Sequence, residues 1–349
     1  MRIKYTLTNT ILNQIYNFAE LHGRLYSYQT KNKWSKELAE SIKKLSGFAA
    51  VSVDKNLPDN LDITSKTLNL DKFLQRSTLD EYIHYTRILD QIGKLFTNPA
   101  KLGIDFIDAV HLDLLNLNNP IEHRLRTRVR ILPKPVWDNG VFKTIKLEVK
   151  TRPEEIMNKL YEFTEWLREN FASTNSLLLA GICHYKIAEI HPYDDANGRL
   201  SRIFDRGILS LKKVDNLHLL PIEDFYLRNR ERYYQLIEHT IESNDLTEWL
   251  EFYTEGLLYS INSAIDILLK LSGGTINIYT NEYIDLTPKE EELVKIIRDL
   301  NQASGAEIAK KLHVSRQNVS IMLRKLTFKN VLTRVGENTS SRYKLALTS

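Results

Sequence analysis

The sequence predicts a mainly α fold built from two or three units, and three observations carry that prediction. At 349 residues the chain is too long for one small core. Apolar residues recur at three- and four-residue spacing in stretches such as LDEYIHYTRILDQIGKLF and PEEIMNKLYEFTEWLREN, the period of an amphipathic helix. Only 13 glycines interrupt this rhythm.

Two places break it. Residues 129–150, VRILPKPVWDNGVFKTIKLEVK, set β-branched and aromatic residues on both sides of Asp138-Asn139-Gly140, a β-hairpin signal. In LSGGTINIYTNEYIDLT, Ser272-Gly273-Gly274 ends a long helix and an extended stretch leads to a new helix at Pro288. Residues 46–70, rich in Asp, Asn and Ser, read as a connecting loop. The expected organisation is an N-terminal helical region at 1–79, a core at 80–270, a linker at 271–285 and a C-terminal module at 286–349.

Net charge is +4, but residues 286–349 alone carry 12 Lys and Arg against 6 Asp and Glu. The basic character therefore belongs to the C-terminal module. The single cysteine, Cys183, excludes an internal disulfide framework and reads as a small buried residue. With no secretory h-region and no membrane-length apolar run, a cytoplasmic location without membrane contact is expected.

The densest chemistry lies at residues 191–202, HPYDDANGRLSR. The preceding stretch, Leu177 to Ile190, is apolar nearly all round, so it predicts a buried central helix ending at His191 before Pro192. Ile203, Phe204, Ile208 and Leu211 then mark an amphipathic helix starting near Asn197. A helix start offers unpaired N–H groups suited to phosphate, and Gly198 lets such a ligand approach. Arg199 and Arg202, three residues apart, can clamp phosphate oxygens. An acid beside a polyphosphate, Asp194 or Asp195, makes sense if a divalent cation bridges the two, which points to Mg²⁺ and a nucleotide. His191, with an ordinary pKa of about 6.5, is the side chain able to take a proton from a hydroxyl. His184 and His111 read as packing residues. Neither a P-loop nor a Rossmann glycine turn occurs.

This stretch resembles the Fic family signature, HPFx[D/E]GNGRxxR, at His191, Pro192, Asp195, Asn197, Gly198, Arg199 and Arg202. Tyr193 replaces Phe, and Ala196 replaces the first Gly. The resemblance extends over roughly residues 80–265 and implies a Fic-type helical core with a β-hairpin flap. It further implies a protein adenylyltransferase: His191 as general base for a target Ser, Thr or Tyr hydroxyl, which attacks the α-phosphorus of ATP. Asp195 would hold Mg²⁺, and Ala196, Asn197, Gly198, Arg199 and Arg202 would line the phosphates. A phosphate-transferring relative also has Ala at this place but Lys where this chain has Gly198, so AMP transfer is favoured. A positive φ at position 196 would suit Ala poorly. Tyr233 and Tyr234 match the family's nucleotide side or are simply core. Trp137, Phe142 and Ile145 would hold a target segment by strand addition, or belong to an ordinary exposed hairpin.

Many relatives carry an inhibitory [S/T]xxxE[G/N] helix. The nearest upstream stretch is AVSVDKN, with Ala50 and Asp54 in place of Ser/Thr and Glu, so the expectation is that inhibition is weak or uses Asp54 reaching toward Arg202. The strict match TRVGEN, Thr333 to Asn338, falls in an expected hairpin turn and reads as coincidence.

In the basic module, Thr287, Pro288 and Glu290 form a helix-start signal. Two short helices follow, the second starting at Ser315, and strands LTRV and RYKL flank GENTSS. The pattern resembles a winged helix-turn-helix, with Arg316, Gln317 and Asn318 placed to read base edges; such modules also dock proteins. The main rival to the transferase is thus a DNA-binding regulator whose Fic-like domain senses nucleotide without transferring it. Removal of AMP from a modified target is disfavoured by the missing regulatory Glu. The residues leave open monomer or homodimer, and which protein is the target.

Overall fold

Helices dominate the computed structural model, which describes residues 1–29, 35–55, 57, 74–116, 125–138, 141–215, 218–272, 276–277, 282–283, 286–300, 302–329, 331–336 and 341–346. In chain order the first elements are α1 (Asn9–Gln29), α2 (Ser35–Lys55), α3 (Arg76–Leu95), α4 (Ile104–Leu115), β1 (Ile131–Asp138) and β2 (Val141–Glu148). Then come α5 (Ile156–Asn170), α6 (Ser176–Ile190), α7 (Asn197–Leu211), α8 (Ile222–Arg228), α9 (Arg230–Ser243) and α10 (Thr247–Ser272). The last are β3 (Ile276–Asn277), β4 (Glu282–Tyr283), α11 (Pro288–Asp299), β5 (Ala303–Ser304), α12 (Gly305–Leu312), α13 (Arg316–Phe328), β6 (Leu332–Val335) and β7 (Arg342–Leu345). The chain divides into two compact units, residues 1–21 with 39–264 and residues 22–38 with 265–349.

In the larger unit α6 lies at the centre because it has no face to give to water: 12 of its 15 residues are buried. Asn175 caps its start, accepting from the N–H groups of Leu177 and Leu178 at 3.0 and 3.4 Å. Helices α5, α7 and α9 pack around α6, and α3 and α4 pack on α7. At Gly181 the α6 backbone comes so close to α10 that a Cβ would stand 2.7 Å from the Tyr253 ring. Several polar side chains that enter this core find partners within it. His184 bonds Asp205 at 2.7 Å and the Tyr233 hydroxyl at 2.9 Å, and Tyr85 donates to Glu223 at 2.9 Å. Burial pushes His184 well below the ordinary histidine range and Asp205 well above the ordinary carboxyl range.

The hairpin forms where β-branched and aromatic residues flank Asp138-Asn139-Gly140, as an antiparallel pair running from Ile131 opposite Glu148 to Asp138 opposite Val141. Asn139, Gly140 and the side chains of Trp137, Phe142 and Ile145 lie outside the described residues. Its backbone runs alongside α9. Residues 46–55, read above as loop, are instead the end of α2. Phe48, Ala49, Ala50, Val51 and Val53 are buried there, and the apolar burial outweighs the polar residues between them. Ser52 loses its cost by bonding back to the Phe48 carbonyl at 2.7 Å.

In the smaller unit α11, α12 and α13 share an apolar core with a three-stranded antiparallel sheet of order β5-β7-β6. Strands β6 and β7 occupy the LTRV and RYKL stretches, with Leu332 opposite Leu345. Thr287 and Glu290 cap α11 reciprocally: Glu290 accepts from the Thr287 N–H at 2.8 Å, and the Thr287 hydroxyl accepts from the Glu290 N–H at 3.4 Å. Within TRVGEN, Thr333 to Val335 belong to β6, while Glu337 and Asn338 lie outside the described residues. Among the described residues no helix is long and apolar enough to cross a membrane.

Candidate active site at the α6–α7 junction

Helix α6 stops at His191, which takes a left-handed conformation (φ 50°, ψ 59°) while its N–H still closes the last turn onto Ile187 at 2.9 Å. Pro192 supplies the local reason, since it disfavours continued right-handed geometry at the residue before it. The loop is then braced from three sides. Tyr193 stacks on His111 at 3.7 Å between ring centroids, and its hydroxyl donates to Asp108. His111 Nε2 lies 2.9 Å from the Asp195 carbonyl, which can only accept, so this nitrogen carries the proton. The Asn197 amide accepts from the Tyr193 N–H at 3.0 Å and donates to its carbonyl at 2.8 Å. Within this frame Ala196 adopts φ 59°, ψ 10°, the positive φ that suits Ala poorly. The strain, about 1 kcal/mol, is carried by the bonds around it.

Helix α7 starts at Asn197, and the residue before it, Ala196, makes no side-chain capping bond. A Cβ on Gly198 would stand 3.1 Å from Asp54 Oδ1 and 3.3 Å from Arg202 Nη1, so glycine keeps this space open. Arg199, nearly enclosed, lies 3.4 Å from Glu81 and 3.5 Å from Asp195. Arg202 is fully buried; its Nη2 donates to Asp54 Oδ2 at 2.7 Å and to the Ala50 carbonyl at 2.8 Å. Among the described residues its Nε and Nη1 have no hydrogen-bond partner. Burial alone would lower the Arg202 pKa, but Asp54 together with Tyr233, Tyr85 and Tyr234 outweighs it and raises the value. The two acids of the motif point outward: Asp195 is 75% exposed at its side chain, and Asp194 bonds Arg130 at 2.6 Å.

Asp54 reaches Arg202 because the end of α2 is held over α7. Arg230 donates to the carbonyls of Ser52 and Leu57 at 2.8 and 3.1 Å, the Tyr234 hydroxyl donates to the Val53 carbonyl at 3.1 Å, and Lys55 pairs with Glu81 at 2.9 Å. Tyr234 is thereby enclosed against Asp54, and Tyr233 is enclosed against His184. The junction thus gathers His191, Asp195, Ala196, Asn197, Gly198, Arg199, Arg202, Tyr234 and Asp54, with Tyr233 one layer deeper. Arg316, Gln317 and Asn318 are exposed in the other unit, in the first turn of α13. Sequence reasoning missed Arg126, Asp108, Glu81 and Arg230, and underrated His111. One signal was available: Asp108 and His111 stand three apart on α4, hence on one face.

Residues 114–206 match the sequence model of the Fic/DOC family. The chain carries a Fic/DOC domain. Over 195 residues it is 26% identical to the protein adenylyltransferase fic-1 of Caenorhabditis elegans and 27% identical to that of Caenorhabditis briggsae, each match covering 55% of this chain. The matched stretch spans about a third of those relatives' own length, 34% in each. A Fic family protein from Desulfovibrio desulfuricans G20 has a similar fold, with a TM-score of 0.62 at 18% identity over 100% of this chain and 99% of that one. A structure of Fic-1 from C. elegans gives 0.54 at 18% identity, over 75% and 74%. The Fic fold is accordingly the frame in which the α6–α7 junction sits.

Proposed function

We propose that the Fic domain is a protein adenylyltransferase, moving AMP from ATP to a hydroxyl side chain of a target protein. The observation that carries the reading is the uncapped start of α7, opened by Gly198 and flanked by two enclosed arginines, directly after His191. In this reading the His191 imidazole takes the proton of the target Ser, Thr or Tyr hydroxyl. The freed oxygen attacks the α-phosphorus, the bond to the β-phosphate oxygen breaks, and pyrophosphate leaves. Arg199 and Arg202 bear the phosphate charge, and the first N–H groups of α7 face the phosphate oxygens. Asn197 contributes its main chain and the shape of the loop, because its amide is spent on Tyr193. Asp195 fits a hydrated divalent cation: its carboxylate is largely exposed and stands beside Arg199. Mg²⁺ held there would supply charge neutralisation on the phosphates. The β1–β2 hairpin would present its edges to an extended target segment.

Arg202 is engaged by Asp54, so ATP in its productive pose must displace that carboxylate. We therefore read Asp54 as a weak inhibitory element. Asp54→Ala is expected to tighten ATP binding by about tenfold, some 1.4 kcal/mol; unchanged ATP binding and unchanged basal rate would end this part of the reading.

The deciding experiment incubates the protein with Mg²⁺, a cell extract and ATP labelled at either the α or the γ position. Label is expected from the α position only, and none with His191→Ala. Label from neither position defeats the transferase.

The exposed first turn of α13 favours a second reading for the smaller unit. We propose that Arg316, Gln317 and Asn318 contact DNA in a module resembling a winged helix-turn-helix, with Lys and Arg on the phosphates. Affinity for a labelled duplex should fall steeply with salt. Salt-insensitive or absent binding turns the reading toward protein docking, a second copy of the chain included. The lone buried cysteine suits a reducing cytoplasm.

A further inference from the structure

One buried cation is engaged with main-chain carbonyls. Arg126 lies between α4 and β1 with 1% of its surface exposed. Its guanidinium meets main-chain carbonyls: Nε donates to His191 at 2.7 Å, Nη1 to Arg128 at 2.9 Å, and Nη2 to Thr151 and, at 3.4 Å, to Ile190. Its own N–H donates to the Pro192 carbonyl at 2.9 Å. Its charge faces the carbonyl end of α6, the negative pole of that helix. The carbonyls it joins come from three places: the end of α6 and the two roots of the hairpin, at residues 128 and 151. Thr151 adds a bond from its hydroxyl to the Glu189 carbonyl at 3.1 Å, and Val149 N–H closes the hairpin root onto Arg130 at 3.0 Å. A planar fork with several donors can span such a set of acceptors; a lysine, a point charge on a flexible stem, cannot.

We propose that Arg126 is a positioning residue for the reaction. It holds the His191 main chain in its left-handed conformation and ties it to both roots of the β1–β2 hairpin, so the base and the ribbon that presents the target keep one register. The inference rests on the transferase reading above. A base displaced by about 1 Å loses on the order of 100-fold in rate while leaving the phosphate cradle intact.

The test compares Arg126→Lys, Arg126→Ala and Thr151→Val in the full chain, following transfer from α-labelled ATP into the extract or the chain itself. Arg126→Lys is expected to lower the saturating rate about tenfold or more while the half-saturating ATP concentration stays within about twofold. Methylguanidinium should restore part of the rate to Arg126→Ala. Thr151→Val removes the hydroxyl bond to the Glu189 carbonyl but keeps the main-chain carbonyl that accepts from Arg126, so it should keep the parent rate. An Arg126→Lys rate equal to the parent's overturns the inference. So does a rate that falls together with ATP affinity and is not restored, or a Thr151→Val variant equally impaired. If the parent itself transfers nothing, the transferase reading fails, and Arg126 is judged by nuclear magnetic resonance on the unsubstituted protein. A slowly exchanging Arg126 Nε proton close to His191 upholds the clasp; rapid exchange with solvent overturns it, whether or not any variant folds.

Discussion

The junction of α6 with α7 and that of α12 with α13 are built alike and finished differently. Both first helices end on a left-handed histidine, His191 at φ 50° and His313 at φ 53°. Both second helices open with arginine and asparagine: Asn197 and Arg199 in one, Arg316 and Asn318 in the other. At α13, Ser315 is extended and its hydroxyl accepts from the Asn318 N–H at 3.2 Å. At α7 the corresponding residue is Ala196, which has no side-chain acceptor and sits at a positive φ. Asn197, Arg199 and Arg202 are buried, whereas Arg316, Gln317 and Asn318 are exposed. A capped start satisfies itself and leaves its side chains for a surface. An uncapped start within a core leaves donors to be met from outside the helix, which is how an anion site differs from an ordinary helix end.

The contrast can be broken most directly at Gly198. Gly198→Val fills the space between Asp54 and Arg202 and should weaken ATP binding by about 100-fold, near 2.7 kcal/mol, in a titration. Gln317→Val at α13 should leave that titration unchanged, and equal losses at both positions would erase the distinction. Next in size, Ser315→Ala removes a cap and should cost about 1 kcal/mol, read as lost amide protection in α13. Ala196→Gly relieves the positive φ and should gain about 0.5 to 1 kcal/mol in protection of α7. A loss there would mean the loop needs its methyl group more than its freedom. The smallest effect is a pH dependence. For Glu290, burial opposes ionisation, but Lys325 and Thr287 outweigh it and lower the pKa; for Glu307 the Ser304 N–H and hydroxyl lower it. Their contribution is complete above the ordinary glutamate value and disappears as pH falls through the lowered ones. Protection factors of α11 and α12 should therefore decline in acid.

The parts legible in the sequence were those decided within a few residues. Pro192 ended α6, Asn197 opened α7, Thr287 and Glu290 boxed α11, and β6 and β7 occupy the LTRV and RYKL stretches that flank GENTSS. The motif geometry was legible for the same reason. Asp54 was found only through the resemblance, since 148 residues separate it from Arg202 and composition had assigned its neighbourhood to a loop. The arginines of HRLRTRVR look like a solvated run. Nothing local marks Arg126 as turning inward, because its partners include Thr151, Ile190 and His191. Bonds of this reach are set by how helices pack, and spacing along the chain does not encode them.

Cys183, the only cysteine of the chain, lies in α6 under the junction with no exposed surface. Burial pushes its thiol far above the ordinary range, so almost no thiolate exists to react while the helix stays in place. Maleimide uptake by this protein therefore counts excursions of the central helix out of its seat, free of background from any other sulfhydryl. The molecule carries its own stopwatch for the opening of its innermost layer, without an engineered label.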